Sequence, residues 1–106
     1  MDIAEWQARL SAFATARDWE QFHNPKNLAT ALSVESAELL EIFQWLTPAQ
    51  AENVMSSDRA ADVRDEVADV AIYLLYFLAR TGINLDVVLE DKMRANEQRD
   101  WVFPSE

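Results

Sequence analysis

Four carboxylates stand in two short pairs along this chain. Glu35 and Glu38 form a Glu-x-x-Glu step, and Glu66 and Asp69 form a Glu-x-x-Asp step. On a helix, positions three apart differ by only about 60° around the axis, so each pair projects from one face. Like charges so placed repel, by roughly 0.2–0.5 kcal/mol per pair on an isolated helix. Both pairs also adjoin apolar positions, the first beside Leu39 and the second beside Val67 and Val70. Carboxylates converging at a packed face raise one another's pKa, and a divalent cation resolves the conflict. An all-oxygen ligand set suits Mg²⁺ or Mn²⁺ and not zinc. A helical di-iron site is disfavoured, because it uses Glu-x-x-His pairs and the one histidine, His23, belongs to none. The plainer alternative, which spacing alone leaves open, is two solvated acidic ridges.

The elements that must position these pairs read as helices. Asp2 caps a first helix, with Ile3, Trp6, Leu10 and Phe13 at steps of three and four, fading near Arg17-Asp18. Trp19 to His23 reads as an irregular aromatic connection. Asn24-Pro25 starts a second helix, with Asn at N-cap and Pro at N1. It is expected to run to about Leu46, with Leu28, Leu32, Leu39, Ile42 and Leu46 on its apolar stripe. Thr47-Pro48-Ala49-Gln50 has the form of a capping box opening a short helix through about Met55. Ser57 or Asp58 then caps a long helix to Arg80, with Val63, Val67, Val70, Leu74, Phe77 and Leu78 apolar. Gly82 occupies the place of a left-handed C-terminal cap. Asn84 opens a last helix with Leu85, Val88, Leu89 and Met93 facing inward, and Trp101 to Pro104 form an irregular tail. With the second and long helices antiparallel, Glu38 and Glu66 sit at matched depth, about 12 Å from their connection at 1.5 Å per residue. The expected fold is all-α and four-helix-bundle-like, a single domain over residues 1–106.

Composition narrows the chemistry further. One glycine in 106 residues excludes a dinucleotide fingerprint or a Walker loop, each of which needs several closely spaced glycines. With no cysteine there is no disulfide framework and no thiolate metal site. A net charge of −10 argues against a nucleic-acid partner bound through a basic surface. No apolar run approaches the ~18 residues of a membrane span, and no secretory signal opens the chain, so no membrane association and a cytoplasmic location are expected. Four Trp, five Phe and two Tyr are a large aromatic load for a small core. A homo-oligomer would cover the surplus.

At the carboxylate pairs the sequence resembles the MazG-like, all-α nucleoside triphosphate pyrophosphohydrolases. Arg17-Asp-Trp-Glu-Gln-Phe-His-Asn-Pro-Lys-Asn-Leu28 resembles the segment before the first acidic motif in the dCTP pyrophosphatase branch. Glu41-Ile-Phe-Gln-Trp45 is similar to the end of that motif helix. Asp69-Val-Ala-Ile-Tyr73 and Lys92-Met-Arg-Ala-Asn96-Glu-Gln-Arg99 resemble the third helix and a later Lys-x-x-x-Asn-x-x-Arg element. The resemblance covers roughly residues 6 to 101. It implies Mg²⁺-dependent hydrolysis of a (d)NTP, dCTP-like favoured, to the monophosphate and pyrophosphate, in a house-cleaning role. Glu35, Glu38, Glu66 and Asp69 would be the metal ligands, and Glu38 or Glu41 the base that activates water. Glu41 reads equally well as a solvated residue.

Under the same resemblance, Trp19, Phe22, Trp45 and Tyr73 would line a base pocket, since a planar base stacks on aromatic faces. Trp45 and Tyr73 read equally well as core. His23 would hydrogen-bond base or phosphate. Lys92, Asn96 and Arg99 share one helical face and would bind phosphate or sugar oxygens, the plainer alternative being a polar outer face. The resemblance also implies sites built across subunits, in a tetramer formed as a dimer of dimers ahead of a simple dimer. The competing readings are a non-catalytic helical module binding a basic partner through its acidic face, and a phosphoribosyl-ATP pyrophosphohydrolase or dimeric dUTPase-like enzyme.

Overall fold

The computed structural model describes residues 1–99, whose regular structure is helical with no strand among them. The helices are α1 (Ile3–Ala16), α2 (Pro25–Phe43), α3 (Pro48–Glu52), α4 (Ala60–Thr81) and α5 (Leu85–Gln98), with 3₁₀ turns at Glu20–Phe22 and Val54–Ser56. The all-α expectation holds. The expected tail at Trp101–Pro104 lies outside the described residues.

Local chemistry sets most helix starts. Asp2 accepts from the Glu5 N–H at 3.0 Å, Asn24 from Asn27 at 2.9 Å and Asn84 from Val87 at 3.2 Å, each satisfying a donor the first turn leaves open. Thr47 and Gln50 form the reciprocal capping box. Gly82 closes α4 at φ 71°, its N–H donating to the Leu78 carbonyl.

Three boundaries differ from expectation: the short helix expected through about Met55 ends at Glu52, with a 3₁₀ turn over Val54–Ser56, and the other two lie at the facing ends of α2 and α4. α2 ends at Phe43 and not near Leu46, because Thr47 precedes Pro48 and must be extended to cap α3. α4 starts at Ala60 with Arg59 at its N-cap and no side-chain cap. Neither Ser57 nor Asp58, the two expected caps, fills that role; Ser57 instead accepts from the Arg59 N–H and donates to the Val54 carbonyl, turning the chain out of the 3₁₀ segment. Both helices shorten at the ends facing their connection, so Glu38 and Glu66 keep a matched depth.

α2 packs along α4, and α1 crosses the far part of α4. One core cluster joins Ile42, Val54 and Val63, with Leu39, Phe43 and Leu46 against it. Leu28, at the other end of α2, is the largest fully buried side chain. The Gln7 amide donates to the Leu75 carbonyl at 3.3 Å and the Tyr76 hydroxyl to the Leu10 carbonyl at 2.9 Å, tying α1 to α4.

The apolar faces are only partly covered. Val67, expected in the core, is 51% exposed. It falls between the Val63 cluster and the stretch near Leu75 and Tyr76 that α1 covers. α5 leaves α4 at 98° and barely touches the other helices. Val88, Leu89 and Met93, expected to face inward, are therefore exposed in the single chain, and Leu85 is half-buried. Among the described residues no single helix is long and apolar enough to cross a membrane.

Candidate active site

α2 and α4 bring one carboxylate oxygen each from Glu35, Glu38 and Glu66 within 4.8 Å of one another. The Oε2 atoms of Glu35 and Glu66 are shut off from solvent and meet no hydrogen-bond partner. Among the described residues no salt bridge reaches the cluster. Burial pushes Glu35 from its ordinary 4.5 to about 7, and the adjacent Glu38 carboxylate and the Asp69 charge add to the rise. Glu66 is raised as well, by burial first and then by Glu38 and Asp69, with a contact from Glu35 acting in the opposite sense. Carboxylate oxygens drawn together from three side chains, those of Glu35 and Glu66 orphaned and none in a salt bridge among the described residues, fit a hard divalent metal ion.

Asp69 stands one turn beyond Glu66 and outside this close trio. It faces a neighbouring cavity while its charge still acts on Glu35 and Glu66. Glu41 is exposed, one turn past Glu38. It shares an open polar cleft with Glu38, Glu66, Asp62, Asp65 and Arg59.

The cavity that Asp69 borders has a volume of about 410 Å³, and its walls include Trp19, His23, Tyr73, Tyr76 and Phe13. The aromatic connection is held in place by its own backbone. Asp18 takes a left-handed φ of 56°, and the Trp19 N–H then returns to the Ala14 carbonyl at 3.0 Å. The Asn27 side-chain amide donates to the Phe22 carbonyl at 3.0 Å. The Trp19 ring meets Phe13 edge-on at 5.5 Å. The Arg17 guanidinium lies 3.5 Å from the Phe13 ring centroid, an arrangement that favours a fixed ring. Phe22 joins Trp19, His23 and Tyr73 around an adjacent cavity of about 340 Å³.

Trp19, Phe22, His23 and Tyr73 are thus gathered near Asp69. Trp45 is not; it lies past the end of α2 and is 86% exposed. Lys92 and Asn96 lie on α5, and Arg99 at its C-cap. None of the three borders the carboxylate cleft or the aromatic cavities of the single chain. Sequence reasoning missed Tyr76 and Phe13 as cavity walls. The signal for Tyr76 was present, since it follows Tyr73 by three and shares its face of α4.

Fold and site together define a class. The model of the MazG-like family matches residues 30–102, and the chain belongs to that family. It is similar to dCTP pyrophosphatase 1 of Rattus norvegicus, at 44% identity over 89 residues, and to that of Homo sapiens, at 43% over 89 residues. In both cases the match covers 82% of this chain and 52% of the relative, so the chain spans about half the length of these curated relatives. A crystal structure of a pyrophosphatase from Archaeoglobus fulgidus is similar throughout, with a TM-score of 0.84 and 41% identity over 90% of this chain and 88% of that one.

Proposed function

We propose that this protein is a divalent-metal-dependent nucleoside triphosphate pyrophosphohydrolase, favouring a dCTP-like substrate and releasing the monophosphate and pyrophosphate. One observation carries the reading: a cluster of Glu35, Glu38 and Glu66 adjoins, through Asp69, a cavity walled by aromatic rings. The names of the similar proteins point the same way.

Glu35, Glu38, Glu66 and Asp69 hold Mg²⁺, with Mn²⁺ as a substitute. When bound, the ion neutralises triphosphate oxygens and polarises the phosphorus under attack. Glu38 or Glu41 accepts a proton from the attacking water. The water oxygen bonds to the α-phosphorus as the bond to the α–β bridging oxygen breaks, and pyrophosphate leaves. Trp19, Phe22, His23 and Tyr73 receive the base, offering stacking faces and, at His23, a hydrogen bond. Trp45, Lys92, Asn96 and Arg99 act from a neighbouring copy, in a tetramer built as a dimer of dimers ahead of a simple dimer. Residues 1–106 work as one domain, clearing surplus or non-standard nucleotides in the cytoplasm.

The test is incubation with dCTP and Mg²⁺, followed by detection of dCMP and pyrophosphate and a screen of the other (d)NTPs. Turnover of none of them would refute the reading. Glu38→Gln and Asp69→Asn are each expected to lower kcat by about a hundredfold or more, the scale of losing an essential acid–base or metal-holding group. Full activity in both variants would overturn the ligand assignment.

A further inference from the structure

We propose that Tyr76, together with His23, is a partition that limits the size of the base the aromatic cavity accepts, which makes Tyr76 a specificity-determining residue; this rests on the nucleotide reading above. Two cavities share these residues in their walls. One is the 410 Å³ aromatic cavity bordered by Asp69. The other, of about 300 Å³, is lined by Gln7, Ser11, Ala14, Leu28 and Ala79 among others. Leu10, His23 and Tyr76 belong to the walls of both.

The Tyr76 side chain is held at both ends. Its hydroxyl donates to the Leu10 carbonyl at 2.9 Å, and its ring lies 4.5 Å from the His23 imidazole at an interplanar angle of 59°. Tyr73 stands 6.3 Å away on the same face of α4. Burial raises the Tyr76 pKa above its ordinary value, so the phenol remains a donor. A ring fixed this way is a rigid back wall. Packed walls yield little, so the ring sets how deep a base can enter on the α1 side, and a two-ring base, being longer, meets it before a one-ring base does. Removing the ring joins the two cavities and gives a purine the missing depth.

The experiment measures kcat/KM for dCTP and dATP in the full chain with Mg²⁺. The wild type is expected to prefer dCTP. Tyr76→Ala should raise the dATP/dCTP ratio by about tenfold or more, mainly through a lower KM for dATP, the scale on which pocket room discriminates. Tyr76→Phe, which keeps the ring, should hold the wild-type ratio, and His23→Ala should move it in the direction of Tyr76→Ala. If circular dichroism shows Tyr76→Ala unfolded, Tyr76→Leu is read in its place. A merely structural role would lower both substrates alike. An unmoved ratio, or a wild type that turns over dATP as well as dCTP, therefore overturns the partition and leaves the nucleotide reading standing. A wild type that turns over no triphosphate overturns both.

Discussion

At the scale of single residues the governing fact is that Glu35 and Glu66 are held where their charges are unwelcome. Without metal, folded Glu35 keeps its proton up to about pH 7, while its ordinary value is 4.5. Between those values the folded state binds more protons than the unfolded chain, so stability falls as pH rises. The contribution is complete below the lower value and lost as pH climbs through the upper one. Glu66 acts in the same direction. A metal ion inverts this, because it needs the deprotonated carboxylates and binds only the folded state. Thermal melts in EDTA should therefore show Tm falling from pH 5 to pH 8. Adding Mg²⁺ should raise Tm at pH 8 and do little at pH 5. Glu35→Gln should flatten the slope and blunt the Mg²⁺ response. A Tm that rises with pH in EDTA would contradict the burial and crowding of these carboxylates.

At the scale of elements, what the sequence made legible was what depends on neighbours in sequence. Gly82 is an example. It sits at φ 71°, and a Cβ added there would meet no atom within 4 Å. Gly82→Ala should thus introduce no clash, only left-handed strain of about 1 kcal/mol, read as a lower urea midpoint with activity retained. An unchanged midpoint would show that α4 and α5 are not joined through this left-handed turn. The caps at Asp2, Asn24 and Thr47 were readable for the same reason, each bonding three residues ahead. The two acidic pairs were readable because a helix puts positions i and i+3 on one side. The start of α4 was not, because Ser57 offered a cap and the 3₁₀ turn before it used that hydroxyl instead. The Tyr76 wall was readable only in part: its place on the Tyr73 face of α4 follows from the spacing, but its closure against Leu10 depends on how α1 registers on α4, which no local pattern encodes. The separation of Asp69 from the Glu trio is of the same kind: helical spacing fixes the face but not the distance across to α2.

At the scale of the whole molecule the single chain is extended. Its radius of gyration is 17.2 Å, where a packed chain of this length has about 13 Å. One element that spreads the chain is α5, a 14-residue helix set at 98° to α4. An isolated helix of that length is marginal in water, and Leu85, Leu89 and Met93, four residues apart, form an apolar stripe along it. Leu89 is 52% and Met93 51% exposed. Lys92 and Asn96 ride on the same helix, so covering the stripe with a second copy would stabilise α5 and bring its polar residues to a neighbour's carboxylates in one step. Leu89→Asp separates the two possibilities. In a monomer the substitution is at an open surface position and should leave stability and turnover nearly unchanged. In an oligomer it buries a carboxylate among apolar side chains, at a cost of several kcal/mol, and should drive dissociation. We expect the wild type to sediment above its 12.1 kDa chain mass at micromolar concentration. Leu89→Asp should sediment at the chain mass and lose most of its pyrophosphate release, with α-helical content reduced by no more than α5 contributes. A wild type that is both monomeric and fully active would mean that α5 stands free, and that Lys92, Asn96 and Arg99 have no part in the reaction.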